Sequence, residues 1–164
     1  MKLRFYLLRI WLFLFIVLAS SSLRAQKDED AYLKSIAKAD SLFLLKEYSN
    51  AASLYNAIFN VKNRGRVLDR YNAAICWSLS AKPDSAFYQL NRIATLGNFG
   101  DEELLLSTNY FESLKSDKRW NILLKRVKEN KIANDRKLSE IRNIGDIKQN
   151  QRELQHLLVL IMER

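Results

Sequence analysis

The sequence predicts an all-α protein, and three observations carry that prediction. Apolar residues recur at helical spacing along most of the chain. Only four Gly and one Pro punctuate 164 residues, too few for the turns of a β fold. Cys76 is the one cysteine, so no intramolecular disulfide is available and packing alone must hold the fold. The length corresponds to one domain with a modest core. A 48% apolar and 27% charged composition is ordinary for a globular chain.

The first residues stand apart from the fold. Lys2, Arg4 and Arg9 give a basic start, residues 10–19 (IWLFLFIVLA) are unbroken apolar, and Ser20, Ser21 and Ser22 lead to Ala25. This order predicts a secretory signal peptide over residues 1–25 and an exported, periplasmic or secreted protein. The apolar run is short for a membrane span. Leu23 is a large residue three places before the cleavage point, which leaves an uncleaved signal holding the chain at the inner membrane as the alternative. No Cys follows the run, so there is no thiol there to carry lipid.

Residues 1–25 hold four of the basic residues and no acid, so +5 of the total +9 remains for residues 26–164. That excess favours solubility and weak attraction to acidic surfaces. Arg and aromatic residues do not interleave as they do on a base-stacking platform, which argues against nucleic acid as the partner. The partner expected is a protein or peptide, with membrane contact only through an uncleaved signal.

Residues 26–127 read as a helical-hairpin domain. Ile36, Ala39 and Phe43 recur at i, i+3, i+7, and Ala51, Leu54, Tyr55 and Ile58 at i, i+3, i+4, i+7. Residues 46–50 (KEYSN) separate these helices, with Ser49 the expected N-cap of the second. Tyr71, Ala74 and Trp77 then mark one helix and Ala86, Leu90 and Ile93 another. Pro83 stands at the first position of that second helix, where its missing N–H is harmless. A shift of 35 places Ala39 on Ala74, Leu42 on Trp77, Ala51 on Ala86, Tyr55 on Leu90 and Ile58 on Ile93. Small residues at these places let two helix backbones approach, and the large neighbour fills the space beside them.

On these residues the stretch from Ala31 to Gly97 resembles tetratricopeptide repeats, helix–turn–helix units with a period near 34. Ala39 and Ala74 match the small position of the first helix, and Ala51 and Ala86 that of the second. Tyr48 is the aromatic just before Ala51. The pattern departs from the family where Ser35 and Arg70 replace its first-helix Trp, and where Pro83 stands at the counterpart of Tyr48. The resemblance implies an interaction scaffold with an inner face formed by the first helices. Its residues would be Leu33, Ile36, Asp40 and Phe43 with Leu68, Tyr71, Asn72 and Ile75. The partner-binding candidates are Asp40, Phe43, Tyr71, Asn72 and Ile75. Ile36 and Asp40 occupy the places of the Lys/Asn pattern that clamps a terminal carboxylate, so such a clamp is not expected.

After Gly97 the chain reads as a capping segment. Asp101 is an N-cap, with Glu102 and Glu103 in the first turn, where carboxylates suit the helix dipole. Leu114, Asp117, Arg119 and Trp120 resemble the tail that follows such repeats in exported bacterial proteins. Another helix is expected from Ser116-Asp117, with Trp120, Leu123, Leu124 and Val127 on one side. A stack of repeats needs such a cap for solubility. Residues 128–164 form a charged helical tail ending in an apolar helix. Leu154, Leu157, Leu158 and Ile161 make its stripe, a further candidate surface for a partner or for self-association.

Chemistry is sparse. His156 and Cys76 are the only residues of their kinds, too few for a zinc site. Cys76 lies in an apolar helical run and reads as a small core residue. No phosphate loop, GxSxG elbow or HExxH motif occurs. Neither a catalytic residue nor a metal or other cofactor is expected. The second functional reading is a fragment or accessory domain of an envelope hydrolase whose catalytic part is not in this chain.

Overall fold

No Gly or Pro interrupts residues 2–44, and the whole stretch forms one helix, α1 (Lys2–Leu44), which runs through the 25/26 boundary. The computed structural model describes residues 2–61 and 65–162, with the side chains of residues 11, 23–61 and 65–151. The expectations on His156 and on the stripe Leu154, Leu157, Leu158 and Ile161 fall outside those side chains. Among the described residues there is no strand, as expected of an all-α fold. The chain divides into two compact units, Met1–Gly65 and Arg66–Arg164.

The first unit is a hairpin of α1 with α2 (Tyr48–Asn60). Its core contains Tyr32, Ile36, Ala39, Ala51, Ala52, Tyr55, Ile58 and Phe59, at apolar positions three and four apart. The second unit begins with a hairpin of α3 (Val67–Leu79) and α4 (Pro83–Leu96). Ala39, Ala74, Ala51 and Ala86 are all fully buried, so the small residues do stand where helices close on each other. Ser49 does not cap α2. That helix begins two residues earlier than such a cap implies, at Tyr48 after Glu47, and no side chain caps it.

The two hairpins share one turn geometry in a register of 35 residues. Lys46 N–H donates to the Phe43 carbonyl at 2.9 Å, and Ala81 N–H to the Ser78 carbonyl at 3.1 Å. Glu47 N–H reaches the Leu42 carbonyl, and Lys82 N–H the Trp77 carbonyl, both at 2.9 Å. This paired closure is the Schellman arrangement, which uses orphan carbonyls of the preceding helix and needs a left-handed residue. Lys46 (φ 63°) and Ala81 (φ 55°) supply it.

The register continues within the second unit. After α5 (Glu102–Ser107), a 3-10 segment spans Asn109–Leu114 and α6 spans Lys118–Met162. Helix ends at Leu44, Leu79 and Leu114, and helix starts at Tyr48, Pro83 and Lys118, are each 35 apart. The 3-10 segment packs on α3 and α6 packs on α4. Residues of matching register meet across that stack: the Ser78 and Ser113 hydroxyls are 3.3 Å apart, and Arg119 Nη1 lies 2.7 Å from Asp84 Oδ1. The expected capping segment is therefore a third hairpin whose first helix is broken into two short pieces. The 127/128 boundary falls inside α6, which passes it without interruption.

Candidate partner-binding face

In the first hairpin Ile36 is a core residue and Leu33 is exposed. Asp40 is half-buried, and its carboxylate accepts a hydrogen bond from the Tyr55 hydroxyl of α2. Phe43, also half-buried, tilts against Tyr48 with ring centroids 5.9 Å apart. Both side chains thus tie α1 to the start or middle of α2 and leave only part of their surface to solvent.

In the second unit Ile75 is buried and belongs to the core. Tyr71 is buried too, edge-on to Phe111 with centroids 5.6 Å apart and tilted against Phe99 at 6.2 Å. Its hydroxyl lies 3.5 Å from the Leu104 carbonyl. Burial pushes the Tyr71 pKa up, with Asp101 and then Tyr110 adding in the same direction. A neutral phenol at that place joins α3 to the chain around α5. Asn72 is half-buried and Leu68 is 65% exposed. On α3 Leu68, Asn72, Ile75 and Leu79 share one line at i, i+4, i+7, i+11, which is open to solvent at Leu68 and Leu79, partly open at Asn72 and closed at Ile75.

Sequence reasoning missed three accessible apolar residues of the second unit. Leu79, Leu104 and Tyr110 are each exposed. The Tyr110 carbonyl accepts from the Ser78 hydroxyl at 2.7 Å, which holds the 3-10 segment against α3. Leu79 was legible as the i+4 successor of Ile75. Leu104 and Tyr110 were not, because their placement depends on the break between α5 and the 3-10 segment.

Arg70 is buried, and its guanidinium donates to Gln89 Oε1 at 2.7 Å. This is a polar contact between α3 and α4. At the start of α6, Asp117 Oδ1 accepts the Arg119 backbone N–H at 2.9 Å and so caps the helix. Arg119 also grips Asp117 with Nε and Nη2, reaches Asp84 with Nη1, and lies over the Phe87 ring at 4.3 Å. The hydrogen bonds from Arg119, side chain and then backbone, lower the Asp117 pKa to about 2. Trp120 is buried against Phe111, with centroids 6.0 Å apart. Of these residues Arg119 joins the third hairpin to the second through Asp84 and Phe87, and Asp117 holds Arg119 in place.

A cleft of about 360 Å³ opens at the end of the first hairpin away from its turn, where Tyr32 of α1 faces Ile58 and Val61 of α2. A polar hollow in the second unit gathers Asp101, Glu102 and Glu103 with Lys131, which pairs with Asp135 at 3.8 Å. Among the described residues no three His, Cys, Asp or Glu side chains are grouped to hold a metal ion. No protein family, curated protein or solved structure matches the chain.

Proposed function

We infer that this chain is a tetratricopeptide-like interaction scaffold, exported to the cell envelope, that binds a protein or peptide partner. The observation that supports this reading is the 35-residue register. Turn hydrogen bonds, left-handed residues and helix boundaries repeat at a spacing close to the family's period. The accessible ridge of α3 gives the partner its footing. Leu68 and Leu79 offer apolar contact, and the Asn72 amide between them can donate to and accept from an extended backbone.

Export rests on the order basic start, apolar run and small residues in residues 1–25. N-terminal sequencing of the protein recovered from envelope fractions tests it, and a chain beginning at Gln26 is expected. A photo-crosslinker in place of Leu68 should capture one defined partner, and the same group in place of Tyr88, on α4, should not. Equal capture at both positions removes the α3 ridge from the reading. A chain confined to the cytoplasm with its Met1 intact removes export.

A further inference from the structure

Charge is segregated along this chain. Residues 1–25 carry +4, residues 26–117 carry −1 and residues 118–164 carry +6, which accounts for the whole +9. Residues 26–117 are nearly neutral; on α6, residues 118–130 carry +4 and the arm from residue 131 onward carries +2. The Asn134 amide, 3.0 Å from the Asn98 carbonyl, is the last side chain of α6 seen to tie it to the preceding hairpin. From residue 131 to residue 151 every α6 residue is exposed. Leu138, Ile141, Ile144 and Ile147 stand in water at 56, 60, 53 and 57% exposure.

Helical geometry sorts these residues by face. Lys137, Ile141, Ile144 and Lys148 follow i, i+4, i+7, i+11 and form one line along α6, with Leu138 and Ile147 on its flanks. Asp135, Ser139, Arg142 and Asp146 follow the same spacing on the opposite side. Two isoleucines framed by lysines thus share a face from which Asp135 and Asp146 are turned away, with Glu140 on its flank between Ile144 and Ile147.

A second copy of the arm is a poor cover for that face. In parallel pairing each lysine meets its own counterpart. In antiparallel pairing centred between Ile141 and Ile144, Lys137 meets Lys148, and like charges so placed repel. A membrane span is not an alternative, because no helix among the described residues is long and apolar enough to cross. A basic helix with one apolar face suits the plane of an anionic membrane. There the isoleucines enter the acyl boundary while the lysine stems extend their ammonium groups to lipid phosphates.

We propose that the α6 arm is a docking surface for an anionic lipid bilayer, on which it lies in the plane of the headgroups through Lys137, Ile141, Ile144 and Lys148. This holds whichever partner the α3 ridge binds and whether or not the leader is removed.

The test uses the full chain labelled with an environment-sensitive fluorophore at Ile144→Cys or at Ser139→Cys; Cys76 is fully buried and shielded from the label. Vesicles of phosphatidylcholine alone are compared with vesicles in which one lipid in three is phosphatidylglycerol. The expected result is a blue shift at position 144 and none at 139, with anionic vesicles only, reversed by salt. Each lysine at an anionic surface contributes about fivefold, so Lys137→Gln with Lys148→Gln should weaken partition about twenty-fold. Both lysines are exposed, so the helix content should be unchanged. Equal shifts on both faces would mean adsorption through another part of the chain, the N-terminal segment included, and overturn the proposal. So would an equal response to neutral vesicles, partition undiminished in the double variant, or no shift with either vesicle. A shift at 144 that needs no lipid and grows with protein concentration would assign the face to a second copy instead.

Discussion

A Cβ on Gly100 would stand 2.8 Å from the backbone nitrogen of Lys131 and 2.9 Å from its Cα, and helix backbone cannot give way locally. Gly100→Ala should therefore push α6 off the loop after α4 and cost about 1–3 kcal/mol, the usual range for overpacking. Chemical denaturation measures it, and an unchanged midpoint would mean that α6 does not pass over Gly100. Ala81 presents the opposite case. It takes the left-handed conformation with φ 55°, which the Schellman closure requires but a β-carbon disfavours by roughly 1–2 kcal/mol. Ala81→Gly should raise stability by up to about 1 kcal/mol, since the relieved strain exceeds the entropy glycine adds to the unfolded chain. A lower melting temperature would contradict the left-handed turn. Pro83 and Asp101 were legible from sequence because helix starts obey local rules. Lys46 and Ala81 were not, because neither residue type announces a positive φ.

At the scale of elements, the first two hairpins were readable because small and large residues repeat in step on both. The third hairpin was hidden. Its first helix is broken at Thr108, so no continuous apolar period marks it, and the break was read as a cap. The continuity of α6 past Val127 was hidden for another reason: beyond that residue no apolar face is buried among the described side chains, and propensity with pairs such as Lys131–Asp135 sustains the helix there. Beside the buried Trp120, Leu123 and Val127, the Asp84–Arg119–Asp117 cluster ties the start of α6 to α4 and makes that tie sensitive to acid. The Asp117 pKa in the folded protein, about 2, lies below the ordinary 3.8. A lowered carboxylate pKa stabilises the fold above the ordinary value, and the contribution is lost as pH falls through the folded one. Asp117→Asn keeps a capping oxygen but removes the charge. It should melt below the wild type at neutral pH, with the gap closing between about pH 4 and pH 2. A gap that stays constant across that interval would show that the Asp117 charge does not hold α6.

At the scale of the molecule, the cooperative fold and the length of the chain do not coincide. Among the described side chains, core residues of the second unit extend along α6 to Val127, and Asn130 and Asn134 hydrogen-bond to backbone carbonyls of residues 94–99. Leu138, Ile141, Ile144 and Ile147 are large apolar residues on the arm. Their exposure shows that burial inside this chain does not hold them. Removing residues 138–164 therefore takes away exposed helix and no packed contact of the described side chains. Changes of that kind fall within about 0.5 kcal/mol, which for a unit of this size moves the melting temperature by about 2–4 °C at most. The expected outcome is a truncated protein that melts with the intact one and loses ellipticity only in proportion to the helix removed. The same deletion should abolish the lipid response of the arm, so stability and membrane docking would separate in one variant. A fall in melting temperature well beyond that margin would place the apolar run after Gln151 in the core, and the arm would then be an element of the fold.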